Sequence, residues 1–164
     1  MHPFLSSLTT NDTFTTNGMT AHSHTGNEIL QLYSNIAGLI DDAGWSSYTP
    51  SLTGITLGNG ILTARYKKIG KTVFYTATLT FGSTTSITGA VTIGTPTTIV
   101  GSAGQPLAEV FLLDANVGYY SGRQFGNGAV LYMSNPVTGI TATNPFTWTT
   151  NDLIIIKGFY ESST

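Results

Sequence analysis

Hydrophobic positions recur along this chain with two different periods. Between His22 and Ile40, the residues Ile29, Leu32, Ile36 and Leu39 fall three and four apart, so they share one helical face. They make a two-heptad seam, with isoleucine at a and leucine at d. Thr25 and Glu28 stand three apart just before it, and each side chain can satisfy a free backbone N–H of the other residue. Asp41, Asp42 and Gly44 end the helix, two acids set against its dipole. Isolated helices shorter than about 12–15 residues are marginal in water. The spacing therefore predicts a helix that packs on copies of itself as a trimeric coiled coil, or on its own domain.

From Trp45 onward the period is two. In Thr72–Phe81, Val73, Tyr75, Ala77, Leu79 and Phe81 alternate with Thr72, Phe74, Thr76, Thr78 and Thr80, predicting one buried and one partly solvated face. Further strands are predicted at Ile61–Ile69, Ser86–Ile93, Thr97–Val100, Leu107–Leu113, Tyr119–Arg123, Gly128–Met133, Ile140–Ala142 and Phe146–Thr149. Leu153–Phe159 is apolar on both faces until Lys157, which predicts a central strand. Pro50 marks an edge or an irregular start. Asn59-Gly60 is a hairpin signal, because both residues tolerate positive φ. About eight to ten short strands at this spacing predict a mainly β domain, a jelly-roll-like antiparallel β-sandwich.

Residues 1–21 show neither period. Phe4, Leu5, Leu8, Phe14 and Met19 are scattered in a polar background that cannot bury enough apolar area to fold alone. The segment is expected to lie extended on another protein, these five side chains anchoring it, or to wrap back on its own domain. The predicted organisation is an arm over 1–21, a His-x-His motif and helix over 22–44, and a β head over 45–164.

Composition narrows the function classes. Charged residues make up only 9% of the 164, and the net charge is −2, which points away from nucleic acid and other polyanions as bulk partners. The absence of cysteine removes disulfides and thiolate metal sites. No apolar run approaches the roughly 18 residues of a membrane-spanning helix. Residues 1–20 hold neither Lys nor Arg and no continuous apolar run, so no signal peptide is expected. His2 stands where N-myristoylation requires glycine.

Candidate chemistry is sparse. His22 and His24 project to one side of an extended segment. One chain offers two imidazoles, but three chains on an axis would offer six, a set that suits iron or nickel better than tetrahedral zinc. The alternative is two solvated histidines before a helix cap. Arg65, Lys67, Lys68 and Lys71 gather around one turn, either as a patch for a polyanion such as teichoic acid or as charges that blunt a sheet edge. Tyr119, Tyr120, Phe125 and Tyr132 cluster near the Gly-Asn-Gly at Gly126–Gly128 and are candidate sugar or receptor contacts, or packing residues. Asp114, Asp152 and Glu161 fall near strand ends or turns, where solvation is the default. No base, nucleophile and orienting group can be assembled, so an enzyme is not expected.

The stretches Trp45-x-x-Tyr48-Thr49-Pro50, Leu52-Thr53-Gly54, Leu57-Gly58-Asn59-Gly60, Ala64-Arg65-Tyr66-Lys67-x-Ile69-Gly70-Lys71-x-Val73 and Thr84-Thr85-Ser86-Ile87-Thr88-Gly89 carry a resemblance. Together they resemble a β-domain recurring in bacteriophage virion proteins, notably minor tail proteins of phages that infect actinobacteria. The match runs over roughly residues 45–100. The His-x-His-x-Gly stretch from His22 to Gly26 is similar to trimeric phage fibre proteins, where such motifs bind a metal on the three-fold axis. The resemblance implies a homotrimer on the virion surface without catalytic activity; the arm over 1–21 is then expected to dock on another virion protein. It would serve as a short tail fibre or minor tail protein that binds host cell-wall glycan. The alternative is a capsid decoration protein that cements or ornaments the head lattice.

Overall fold

A computed structural model describes residues 44–101, 104–115, 117–126, 129–134 and 137–164, and they belong to a compact unit spanning Ala43–Thr164. The anchoring arm, His22 and His24, and the seam Ile29, Leu32, Ile36 and Leu39 lie outside the described residues.

The strands are β1 (Ser46–Ser47), β2 (Leu52–Thr56), β3 (Ile61–Ile69), β4 (Thr72–Thr80), β5 (Ser86–Ile93), β6 (Pro106–Asp114), β7 (Gly118–Phe125), β8 (Val130–Met133) and β9 (Leu153–Glu161). They pair antiparallel in one nine-stranded sheet, in the order β1-β3-β4-β9-β6-β7-β8-β5-β2. The expected central strand is central: β9 lies between β4 and β6.

One continuous ladder holds every strand, whereas a jelly-roll-like sandwich was expected to divide them between two sheets. The links explain how a single sheet encloses a core. β2 and β3 lie seven strand spacings apart in the ladder order, about 34 Å in a flat sheet at about 4.8 Å per strand. Residues 57–60 join them, a link that reaches under about 20 Å when fully extended. The sheet must therefore curl until its margins approach. Asn59-Gly60 closes no hairpin, because β2 pairs with β5 and β3 pairs with β1 and β4. It carries the chain across the gap and locks onto the turn at 82–85. The Asn59 Oδ1 accepts from the Thr84 N–H at 2.9 Å, and the Thr85 hydroxyl donates to the Leu57 carbonyl at 2.6 Å. Gly58 sits at φ +56, and a Cβ there would fall 2.5 Å from the Thr84 carbonyl oxygen.

The alternation read from β4 holds. Val73, Tyr75, Ala77 and Leu79 are buried, while Phe74 is exposed and the threonines are half-buried. One inward row across the strands runs Tyr66, Tyr75, Gly158, Ala108, Gln124, Leu131. The Tyr75 hydroxyl donates to the Gln124 Oε1 at 2.5 Å, so phenol and amide meet above the two small residues between them. Gln124 is fully buried and spends its amide N–H groups on the carbonyls of Ile93 and Ala129. A buried polar group satisfied in this way avoids the desolvation penalty and ties β4, β7 and β5 together.

Burial, reinforced by the neighbouring phenols Tyr48 and Tyr160, pushes the Tyr75 hydroxyl far above the ordinary phenol value. Unfolded Tyr75 ionises near pH 10 while folded Tyr75 keeps its proton. Stability is thus fully present below about pH 10 and falls above it. Burial also raises the Tyr48 hydroxyl, so urea denaturation at pH 11 is expected to show about 1–2 kcal/mol less stability than at pH 9, and Tyr75→Phe should remove about half or more of that difference, the rest belonging to Tyr48.

The segments expected as strands at Ile140–Ala142 and Phe146–Thr149 are irregular. They close one end of the curl with aromatic rings. Trp148 stacks on Phe81 at 4.7 Å and meets Phe146 at 4.4 Å, and Phe146 leans on Tyr120 at 5.3 Å. The Trp148 indole N–H donates to the Thr141 carbonyl at 3.0 Å, a bond between loop segments in place of a ladder. The strand expected at Thr97–Val100 is reduced to one bridge between Ile99 and Ser162. Asp152, expected in solvent, is fully buried. Its Oδ1 accepts the Ala115 N–H at 3.0 Å and its Oδ2 the Thr149 N–H at 2.5 Å, holding two loops to the start of β9.

Candidate binding face

Residues facing outward on antiparallel strands stand opposite one another and form rows across the sheet. One row is charged: Arg65, Thr76, Lys157, Glu109, Arg123, Tyr132. Nearer one end of the strands lie one row of mixed character and one mainly apolar row. The first runs Thr63, Thr78, Ile155, Phe111, Ser121 and the second Ile61, Thr80, Leu153, Leu113, Tyr119. Toward the other end stand Lys67, Phe74 and Phe159, the two rings 6.0 Å apart. Ile61 is 63% exposed, Tyr119 72% and Phe159 66%. Such a concentration of large apolar side chains on an outer sheet face is the mark of a contact surface.

Beside the charged row the face is concave. A cleft of about 710 Å³ is lined by Thr72, Glu109, Arg123, Lys157, Phe159 and Glu161, with Val100, Gln105 and Pro106 on its rim. Its origin is a register shift in β6 between Pro106 and Ala108. The shift turns Leu107 into the core alongside Ala108, leaving its outward place empty. Gly158 permits this, since a Cβ there would lie 2.4 Å from both the Ala108 Cβ and the Leu107 carbonyl oxygen. The rim is fastened at both ends. The Val100 N–H donates to the Glu161 carbonyl, and the Gly126 N–H donates to the Gln105 carbonyl, each at 2.8 Å.

Glu109 is in register with Lys157 on one side and Arg123 on the other. All three side chains, with Glu161, are solvent-exposed. The cleft therefore offers two acceptor carboxyls and two cationic donor groups around an exposed ring. It can meet a ligand rich in both donors and acceptors.

The sequence-derived candidates separate. Arg65 and Lys67 face outward, Arg65 lying 5.2 Å over the Trp45 ring. Lys68 has the opposite parity, and its ammonium donates to the Thr164 carbonyl. Lys71 sits exposed at the β3–β4 turn. These four residues do not make one patch, because alternation along a strand sends neighbours to opposite faces. The aromatic group separates as well. Tyr119 is exposed on the outer face, Tyr120 packs inward on Phe146, and Phe125 meets Tyr132 edge-on at 5.6 Å. Tyr119 and Phe125 stand near opposite ends of β7, about 20 Å apart along it.

Glu109, Arg123, Lys157, Phe159 and Glu161 were not singled out as a site. They come from three strands far apart in sequence, and only the parity of Lys157, Phe159 and Glu161 hinted at a shared face. Among the described residues no group of three or more His, Asp or Glu side chains is placed to hold a metal ion. No helix there is long and apolar enough to cross a membrane. Family models, curated proteins and solved structures offer no match to this chain, so the reading of the face rests on its own geometry.

Proposed function

We propose that this chain is a homotrimeric structural protein on the surface of a bacteriophage virion. In this reading Ile29, Leu32, Ile36 and Leu39 form the trimer seam. Residues 1–21 dock on another virion protein. The β domain, one curled antiparallel sheet, is the head of a short tail fibre or minor tail protein that contacts the host surface. The observation that supports the reading is the outer sheet face, where Ile61, Phe111 and Tyr119 remain exposed on two neighbouring rows and Phe159 beyond the charged row. An apolar face of this kind suits a protein that works by contact.

The seam is tested by Ile36→Asp, which places a charge at an a position. Sedimentation of the wild-type chain should give a trimer and the variant a monomer. Equal masses for the two would remove the seam from the proposal. Antibody labelling of intact virions should mark the tail. Labelling of the capsid would replace the fibre with a decoration protein, and labelling of neither would end the virion reading.

A further inference from the structure

We propose that the cleft between β9, β6 and β7 binds a saccharide of no net charge. The proposal refines the host-contact reading above by naming the class of ligand and the residues that take it. These residues differ from the basic and tyrosine clusters singled out in the sequence.

Charge decides the class. Lys157, Glu109 and Arg123 alternate across three neighbouring strands, and Glu161 stands two residues beyond Phe159 on β9. Two acids and two bases line the same space. A polyanion such as a polyol phosphate would meet Glu109 and Glu161 as well as the cations, and a polycation would meet Arg123 and Lys157. Like-charge contact of this kind is a standard means of rejecting a partner. A hydroxyl group is donor and acceptor at once, so vicinal hydroxyls of a sugar can satisfy a carboxyl and a cationic group side by side.

Shape agrees with charge. About 710 Å³ lies within the range of small-ligand clefts and is room for a short oligosaccharide. Phe159, 66% exposed on the cleft wall and braced by Phe74 at 6.0 Å, offers a ring face to the C–H side of a pyranose. The fastened rim and the bulged floor hold the cleft open without a ligand, so little ordering opposes binding.

The test uses the purified full-length chain on an array of neutral, zwitterionic and anionic glycans that also displays lipoteichoic acid and short zwitterionic peptides. Binding to neutral glycans is expected. Affinity for the best of them should change less than twofold between 50 and 500 mM NaCl, because no counterions are released. Phe159→Ala should weaken it at least tenfold while circular dichroism and the melting curve stay those of the wild type, since the side chain is exposed. Glu109→Lys should weaken neutral binding and raise retention of lipoteichoic acid. Binding confined to anionic glycans or to peptides, absence of glycan binding, or unchanged affinity in Phe159→Ala would each overturn the proposal. A trimer found on virion tails that ignores neutral glycans would fail this inference alone. A glycan-binding protein absent from virions would fail only the virion reading.

Discussion

Asp152→Ala is expected to lower the unfolding free energy by about 2–5 kcal/mol. The side chain is fully buried, and its two carboxyl oxygens accept the backbone N–H groups of Ala115 and Thr149. Removing the carboxyl leaves both donors without that partner, at about 1–3 kcal/mol for each donor kept from water. The loss does not stay local. The Asp152 carbonyl accepts the Phe81 N–H at 2.9 Å, and Phe81 carries the stacked Trp148 that caps the core. Asp152→Asn keeps one amide oxygen and loses one acceptor, so it should sit about midway. Urea titration of the three proteins checks the order. If Asp152→Ala unfolds at the wild-type midpoint, the carboxyl is not what holds the two loops.

Gly158→Ala should destabilise by more than about 3 kcal/mol or prevent folding. The added Cβ would lie 2.4 Å from the Ala108 Cβ and 2.4 Å from the Leu107 carbonyl oxygen. Backbone at the middle of a nine-stranded ladder cannot retreat without breaking the β9–β6 pairing. Overpacking a formed core typically costs about 1–3 kcal/mol, and more where the neighbour is backbone. Gly139→Ala is the matched control, because nothing lies within 4 Å of a Cβ there. The control should melt within a few degrees of wild type. A Gly158→Ala protein as stable as that control would mean that the β6 bulge relaxes freely, and the shape of the cleft would no longer follow from it.

Period-two alternation made the long strands legible. In β4 the threonine face and the apolar face follow from residue order, because successive side chains leave a strand on opposite sides whatever surrounds it. The interior place of β9 in the sheet was legible from its apolar run, although only the Ile154 and Ile156 face is enclosed and Leu153 and Ile155 stay half-buried on the outer one. The hairpin assigned to Asn59-Gly60 fails for a definable reason. The positive φ of this link falls at Gly58, so Asn59 and Gly60 do not take the primed-turn backbone that their dipeptide suggests, and Asn59 bonds the 82–85 turn instead. The loop segments Ile140–Ala142 and Phe146–Thr149 read as strands in sequence because buried aromatic and β-branched residues look alike in a strand and in a plug.

Local order along the chain thus determined the long strands, the side that their residues face outside the β6 bulge, and the interior place of β9. Those properties depend on neighbours one or two positions away. Partner choice belongs to the folded chain. That Tyr75 would reach Gln124, that Asp152 would be enclosed, and that Glu109 would stand between Lys157 and Arg123 depend on register between strands separated by tens of residues. A short turn can set register between consecutive strands such as β6 and β7, but between distant ones such as β6 and β9 it is fixed only when their apolar faces pack together.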